Sequence, residues 1–480
     1  MLRCGFDHER GNVAHGMRTN RGTRRRVQAL IVGFAATVIA ASGAAVALGA
    51  KGDLRLISRQ SVADGGAGAN SWSYGGDLSA NGRFAVFSSE ATNLGPYDPG
   101  ASRTIYVQDL RAGQVETVSR QSASAGGMPA ETDSRSAEIS DSGRFVVFQT
   151  EAQNLGGPIV ASENIYVYDR REDRVQLVSR RSKTGGGGGA NEDTDSPSIS
   201  ANGRYVAYQT RATNLGGPIA GDGEANVYVY DRKERRTILA SRRSHGGRGG
   251  NSNSFEASLA PSAPVVVFES QASNLGGPIH PNASANVYAY DWKRRKLELA
   301  ARRSGNGKGP NSAADVPDVS ASGRLVLFET DATNLGGPLR GPDGTRRLYV
   351  HDRKTGRTSL VSRQSKGAGG KGANANSGSG EISNSGRYVA FNTEATNLGG
   401  PIASTLNVYV YDRERKRVVM ASRGEDGGPG ADDYAAEPGL SGNGRFVAFY
   451  TPAMNIDPAD EPAFHGNFPP ATNVYRFQVR

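Results

Sequence analysis

Length, composition and charge narrow the classes of protein that this sequence can encode. The chain has 480 residues, of which 36% are hydrophobic and 64 are glycine, so its apolar share with glycine counted is that of a globular protein with a core. The formal net charge is +10, but half of it lies in residues 1–50, and beyond them cations and carboxylates are interspersed. This pattern argues against a nucleic-acid-binding protein, which concentrates basic charge on one face.

Residues 1–50 predict an export segment. Arg24, Arg25 and Arg26 precede an uncharged, alanine-rich stretch, and Ala45 and Ala47 form a small-residue site for signal peptidase. We expect a signal peptide of the Sec or twin-arginine type, or alternatively an uncleaved anchor that is the protein's only contact with a membrane. In both cases the rest of the chain is exported to the periplasm, the cell envelope or the medium. Because the only cysteine lies within this segment, neither a disulfide nor a thiolate metal site is expected.

The exported part repeats with a period near sixty residues. The unit at 195–244 contains four predicted strands, PSIS, RYVAYQT, NVYVYD and TILASR, with an Asn-Gly hairpin turn between the first two. The second and third strands are continuous apolar runs, which predicts burial on both faces. An aromatic residue of the second strand recurs at spacings of 58 to 63 residues, namely at Phe87, Phe148, Tyr208, Phe268, Phe328, Phe391 and Phe449.

Radial stacking of these units explains how each sheet is covered on both faces. We therefore predict an all-β fold, a seven-bladed β-propeller of four-stranded antiparallel blades over residues 53–480. The last unit lacks a fourth strand, and residues 53–61 match that strand in the other units, so N-terminal strand pairing in the C-terminal blade closes the ring. The predicted blades are 75–122, 136–182, 195–244, 255–304, 315–365, 379–423 and 437–480 with 53–61.

The repeated motifs resemble a known family. ISDSGRFVVF (139–148), ISANGRYVAY (199–208) and ISNSGRYVAF (382–391), with NVYVYD at 226–231 and 407–412, are similar to the WD-repeat-like units of TolB-like periplasmic β-propellers. Related repeats often carry an acidic, calcium-site-like segment after the Asn-Leu pair, and here GGPI replaces it except in the first and last units (96–98 and 457–460). No metal ion or cofactor is therefore expected.

The motif NLGGPI follows the second strand in most units, and its asparagine is the candidate for a binding residue that recurs in every blade. Its asparagines could form a ring of amide donors and acceptors for a ligand. In the structural alternative, each amide bonds the backbone of its own loop while the following leucine fills the blade edge. The candidate residues are Asn93, Asn154, Asn214, Asn274, Asn334, Asn397 and Asn455.

Other polar residues give few signs of catalysis. The histidines at 245, 280, 351 and 465 are isolated, so no catalytic residue is predicted. Arginine doublets on the fourth strands (180–181, 242–243 and 302–303) either bind anions or protect the outer sheet edge. Inner-strand acids Glu138, Asp318 and Glu381 are expected to face the central channel, and the Asn-Leu loops are expected to share a face with the glycine-rich inter-blade connectors.

These features favour an exported, non-enzymatic binding or scaffold protein for a protein or an envelope polysaccharide. The alternative is a carbohydrate-active hydrolase or lyase with its site at the channel mouth. An enzyme should bring together the features that break the repeat. These are Trp72 and Tyr74, Trp292, and the 457–470 insertion with His465.

Overall fold

The computed structural model describes residues 54–95, 102–221, 223–305, 307–456 and 471–479. The predicted leader, the acids at 96–98 and the 457–470 insertion with His465 lie outside the described residues. No helix in the described part of the chain is long and apolar enough to cross a lipid bilayer.

Twenty-eight strands in the described residues form seven four-stranded antiparallel sheets. Blade 1 contains β2 (Ser73–Leu78), β3 (Phe84–Ser89), β4 (Thr104–Asp109) and β5 (Gln114–Thr117); blade 2 contains β6 (Ser134–Ile139), β7 (Phe145–Thr150), β8 (Asn164–Asp169) and β9 (Arg174–Leu177); blade 3 contains β10 (Thr194–Ile199), β11 (Tyr205–Thr210), β12 (Asn226–Asp231) and β13 (Arg236–Leu239). Blade 4 contains β14 (Ser254–Leu259), β15 (Val265–Ser270), β16 (Asn286–Asp291) and β17 (Lys296–Leu299); blade 5 contains β18 (Ala314–Val319), β19 (Leu325–Thr330), β20 (Arg347–Asp352) and β21 (Arg357–Leu360). Blade 6 contains β22 (Ser377–Ile382), β23 (Tyr388–Thr393), β24 (Asn407–Asp412) and β25 (Arg417–Met420); blade 7 contains β26 (Ala436–Leu440), β27 (Phe446–Thr451), β28 (Asn473–Gln478) and β1 (Leu54–Leu56).

The ring closes as the sequence predicts. In blade 7, β1 pairs antiparallel with β28, with Leu54 opposite Phe477 and Leu56 opposite Tyr475. Both leucines are buried. The all-β, seven-bladed propeller with N-terminal strand closure is therefore confirmed.

Six short 3-10 helices lie in the connectors, the segments that join the fourth strand of one blade to the first strand of the next. They span Val62–Asp64, Ala123–Ala125, Lys183–Gly185, Ser244–Gly246, Lys366–Ala368 and Glu425–Gly427.

The core consists of layers between neighbouring blades. In β12, Val227 and Val229 pack with Phe268 of blade 4. Tyr228 and Tyr230, which point to the opposite face of the sheet, pack with Val167 of blade 2. A strand directs successive side chains to opposite faces, so continuous apolar runs are required where both faces are covered. This confirms the two-sided burial expected of the second and third strands.

The glycine of the hairpin turn is required by conformation and by space. Gly203 has φ +68°, and a Cβ added to it would lie 2.1 Å from the ring of Phe145 in the preceding blade. Gly143 meets Phe84 at the same distance. The turn residue therefore helps each blade to stack against the one before it.

The first strands differ from the sequence-based bounds because each contains a β-bulge. In blade 3 the pairing register shifts between Asp195 and Ser198, and Ser196 adopts φ 49°. The bulge turns the Ser196 N–H away from its own sheet, and Gln149 Oε1 of blade 2 accepts it at 3.1 Å. The strand therefore begins at Thr194, three residues before the predicted PSIS segment.

Candidate binding site at the central channel

The first strands line a central channel, and their penultimate position forms a ring of side chains within it. A cavity of about 100 Å³ in this channel is lined by residues of all seven blades. The ring, called here the channel ring, contains four carboxylates, two serines and one glycine, namely Asp77, Glu138, Ser198, Ser258, Asp318, Glu381 and Gly439.

The channel ring joins neighbouring blades. Asp77 Oδ2 accepts the backbone N–H of Ile139 at 2.8 Å, and Glu138 Oε2 accepts that of Ile199 at 3.0 Å. These bonds give each side chain a structural role in the spacing of the blades. The equivalent bonds run from Leu259 to Ser198 (3.1 Å), from Ile382 to Asp318 (2.7 Å) and from Leu440 to Glu381.

Burial raises the pKa of every carboxyl group in the channel ring. The pKa of Asp77 is raised to about 7 and that of Glu138 to about 8, mainly because the protein removes water from the charged form. Burial likewise raises the pKa values of Asp318 and Glu381, and repulsion by Asp77 adds to the shift at Glu381. Part of the ring therefore remains protonated at neutral pH.

The channel position expected for Glu138, Asp318 and Glu381 is confirmed, whereas Asp77 escaped the sequence analysis. Its signal was present, because Asp77 precedes Leu78 just as Glu138 precedes Ile139 in the aligned repeat.

One end of the channel, called here the turn end, is narrowed by the hairpin turns between the first and second strands. Backbone bonds join turns of adjacent blades, such as Ala321 N–H to Asn384 O at 3.0 Å and Asn443 N–H to Ala80 O at 2.9 Å. Across the channel, the Asn384 amide donates to Asp141 Oδ2 at 2.9 Å. The turns thus hold one another around the ring axis.

The opposite end, called here the connector mouth, has aromatic side chains where blade 7 meets blade 1. Tyr74 lies 6.2 Å from Tyr450 in an edge-on contact, and its ring stacks with Trp72 at 6.3 Å. Tyr434 contacts Tyr450 at 6.1 Å, and the Arg103 guanidinium lies 4.3 Å from the centre of the Tyr74 ring. These four aromatic residues are half-buried and so retain exposed surface at the mouth.

Carboxylates occupy the equivalent positions on the other side of the connector mouth. In blade 5, Asp315 and Glu329 both receive the guanidinium of Arg346, with Glu329 Oε2 at 3.1 Å from Nη2. Burial, together with repulsion by Asp315 and Glu256, raises the pKa of Glu269 to about 7. The mouth therefore has an aromatic side and an acidic side.

The seven candidate asparagines hold the connectors in place. Asn274 Nδ2 donates to Gly249 O at 2.9 Å, and its Oδ1 accepts the N–H of Asn251 at 3.0 Å. The partner is the connector that precedes the blade, not the backbone of the same loop. Amide donation to the equivalent carbonyl recurs at Asn93, Asn154, Asn214, Asn334, Asn397 and Asn455. These bonds also place the Asn-Leu loops beside the connectors, as expected.

The remaining sequence candidates do not converge. Trp292 follows the third strand of blade 4 and packs on Tyr205 of blade 3 at 5.1 Å, away from the aromatic side of the mouth. His351 is buried, bonds Thr358 Oγ1 at 2.8 Å, and has its pKa lowered to about 4 by burial. In the doublet at 242–243, the first arginine makes a hydrogen bond within the protein, since Arg242 donates to Gly247 O of the following connector at 3.1 Å.

Within the described residues, no group of three or more His, Cys, Asp or Glu side chains is arranged to hold a metal ion. The connector mouth offers aromatic surface, carboxylates and arginines, among them Arg103, Arg135 and Arg346.

The strand topology defines the chain as a seven-bladed β-propeller, and solved structures of several propellers are similar to it. TolB from Acinetobacter baumannii has 13% sequence identity and a TM-score of 0.38, over 75% of this chain and 66% of that one. An oligogalacturonate lyase from Vibrio parahaemolyticus has 10% identity and a TM-score of 0.46, over 86% and 90%. The propeller domain of the trilobed protease from Pyrococcus furiosus has 12% identity and a TM-score of 0.44, over 79% and 91%.

These similarities concern the fold alone, since the sequence identities are 10% to 13%. No protein-family model matches the sequence. No curated protein matches it either.

Proposed function

We propose that the protein is an exported, non-enzymatic binding or scaffold propeller whose connector mouth receives a protein segment or an envelope polysaccharide. One observation carries this proposal. Residues that recur in all blades, such as the asparagines of the Asn-Leu loops, are engaged in bonds within the framework, whereas the mouth holds half-buried aromatic rings and carboxylates at positions that differ between blades.

The mouth offers two kinds of contact to a ligand. The half-buried rings of Trp72, Tyr74, Tyr434 and Tyr450 provide apolar surface with polar edges, which suits a sugar face or an apolar side chain. Glu269 and Asp315 provide charge for hydroxyl or basic groups on the other side. Export follows from the leader predicted in residues 1–50, and it would give the protein access to such partners.

A capture experiment with the full-length protein tests this function. The mouth variant combines Arg103→Ala with Glu269→Gln, and the control variant combines Arg111→Ala with Glu234→Gln, which make the same charge changes at exposed positions in turns between third and fourth strands. We expect an envelope extract to yield a partner that the wild type and the control retain and the mouth variant loses. Equal capture by all three proteins, or none above background, contradicts the proposal.

The carbohydrate-active alternative has support from one feature. The raised pKa of Glu269, about 7, suits an acid at neutral pH, and Asp315 is its charged neighbour. Turnover of any glycan in a panel by the wild type, lost in Glu269→Gln and kept in Glu234→Gln, would establish the enzyme in place of the binding protein.

A further inference from the structure

A basic groove lies on the outside of the ring between blades 5 and 6. Its volume is about 450 Å³, and the fourth strand of blade 5 faces the turn between the third and fourth strands of blade 6 across it. The basic and acidic side chains that line it are five cations and one carboxylate, namely Arg357, Arg363, Lys366, Arg413, Lys416 and Asp352.

The carboxylate does not balance these cations, because it is already paired. Asp352 Oδ1 accepts Arg324 Nε at 2.8 Å, and Oδ2 accepts Arg324 Nη2 at 2.5 Å. The nearby Glu414 pairs with Arg387 at 3.1 Å. The groove therefore carries an excess of positive charge that no described carboxylate neutralises.

The position of a counter-ion near Arg413 can be inferred from other blades, because equivalent arginines there have carboxylate partners. Arg413 Nη1 donates to Gly386 O in the hairpin turn of its own blade, just as Arg353 Nη1 donates to Gly323 O and Arg170 Nη1 to Gly143 O. One edge of the guanidinium is thus fixed in the same way each time. The other edge, with Nε, points to the fourth strand of the preceding blade.

The partner of Nε changes from groove to groove. In the groove between blades 1 and 2, Glu116 accepts Arg170 Nε at 2.9 Å, and between blades 4 and 5, Glu298 accepts Arg353 Nε at 2.5 Å. Each of these arginines has a carboxylate from the fourth strand.

Four grooves contain the equivalent arginine, and in two of them a neutral residue stands in place of the carboxylate. Between blades 2 and 3, Gln176 accepts Arg232 Nε at 3.2 Å, and Asp169 and Glu172 also line that groove. Between blades 5 and 6, Ser359 is the equivalent residue, and Arg413 Nε has no hydrogen-bond partner among the described residues. Burial lowers the pKa of Arg413, as expected of a guanidinium without a paired carboxylate.

We propose that the groove between blades 5 and 6 binds a phosphate-class oxyanion, inorganic phosphate or a phosphomonoester, at the place that Glu298 holds in the equivalent groove. The free edge of Arg413 matches two oxygens of such an anion, and Arg357, Lys366 and Lys416 surround the same space. A phosphate, with close to two negative charges at neutral pH, suits this excess of cations better than a single carboxylate. The groove volume leaves room for an organic group attached to the phosphate.

The site is separate from the connector mouth and does not depend on the function proposed there. Most of its residues lie on the fourth strand of blade 5, in the connector that follows it and in outer turns, whereas the mouth residues lie on first and second strands and in the loops at that end of the channel.

The test measures binding of inorganic phosphate and of glycerol 3-phosphate to the full-length protein by calorimetry at constant ionic strength. In Ser359→Glu, a carboxylate restores the pairing seen at Glu298 without removing any cation. We expect it to weaken both ligands about tenfold or more. The matched control Gln114→Glu adds the same charge to the outer strand of blade 1 and should change the Kd less than about twofold.

Preference for glycerol 3-phosphate would indicate a phosphomonoester as the ligand, and equal affinities would indicate the free ion. The proposal is overturned if neither ligand binds the wild type. It is also overturned if Ser359→Glu and Gln114→Glu weaken binding equally, because the attraction would then come from net charge and not from the groove.

Discussion

The two ends of the channel differ in how far the seven blades agree with one another. At the turn end, neighbouring blades present similar turns, and channel-ring side chains of different types make the same bond to the backbone of the next blade. At the connector mouth, equivalent positions hold Tyr74 in blade 1, Asp195 in blade 3 and Asp315 in blade 5. A bond that recurs from blade to blade therefore marks positions that stabilise the ring, and we infer that these mouth positions, where no such bond recurs among the described residues, serve a ligand.

The largest effect is expected at the channel ring and depends on pH. The pKa of Glu138 is about 8 in the folded protein, above its unfolded value near 4.3. The folded state therefore binds this proton more tightly, so stability is greatest below about pH 4 for this group and falls as the pH rises toward 8. Glu138→Gln removes this pH-dependent loss of stability, because the glutamine side chain stays neutral. The variant should be more stable than the wild type at pH 9 by on the order of 1–4 kcal/mol and about equally stable at pH 4.

Denaturant unfolding across this pH range measures the difference. The exposed Glu234→Gln is the control, and its stability should follow the wild type at every pH. An identical pH profile in Glu138→Gln and the wild type would mean that Glu138 does not titrate in this range.

The framework asparagines should give an intermediate effect. Asn274→Ala removes one donor to Gly249 O and one acceptor for the Asn251 N–H. We expect it to destabilise the protein by about 1–3 kcal/mol, since it leaves connector backbone groups without partners. The neighbouring exposed Gln271→Ala, whose side chain has no hydrogen bond among the described residues, should change stability by less than about 0.5 kcal/mol in the same thermal unfolding assay.

Capture of a partner distinguishes the two roles considered for these asparagines. A framework residue that is substituted lowers stability and leaves capture by the folded protein intact. Unchanged stability with lost capture in Asn274→Ala would instead support the amide ring as a binding site.

The sequence predicted the fold more fully than the site, for physical reasons. Aromatic spacing, the Asn-Gly turn and the unpaired strand at residues 54–61 are local signals, and each recurs or has a counterpart in the chain. The bulge at Ser196 was missed because the Ser196 N–H bonds Gln149 of another blade, a partner that the local sequence pattern does not show. The aromatic side of the mouth was seen only in part, since Tyr434 and Tyr450 join Trp72 and Tyr74 through ring closure.

The smallest effect on stability is expected at the connector mouth. Glu269 has no hydrogen-bond partner among the described residues, and its carboxylate is repelled by Asp315 and Glu256. Burial raises the pKa of Glu269 to about 7, above the unfolded value near 4.3, so the stability that depends on this group falls from about pH 4 and the loss is complete near about pH 7, while solvent at the mouth screens much of it. We therefore expect Glu269→Gln to raise the free energy of unfolding by no more than about 1 kcal/mol at pH 8 and to leave it unchanged at pH 4.

Comparing the thermal unfolding of Glu269→Gln with that of Glu329→Gln tests whether framework and ligand positions can be told apart at the mouth. Glu329 lies 3.1 Å from Arg346, and its other oxygen accepts the Gly380 N–H of blade 6 at 3.2 Å, so it belongs to the framework although it sits at the mouth. Its substitution should destabilise the protein by about 1–3 kcal/mol. A loss of that size in Glu269→Gln as well would show that the acidic side of the mouth stabilises the ring, and the division between framework and ligand positions would then fail at this end of the channel.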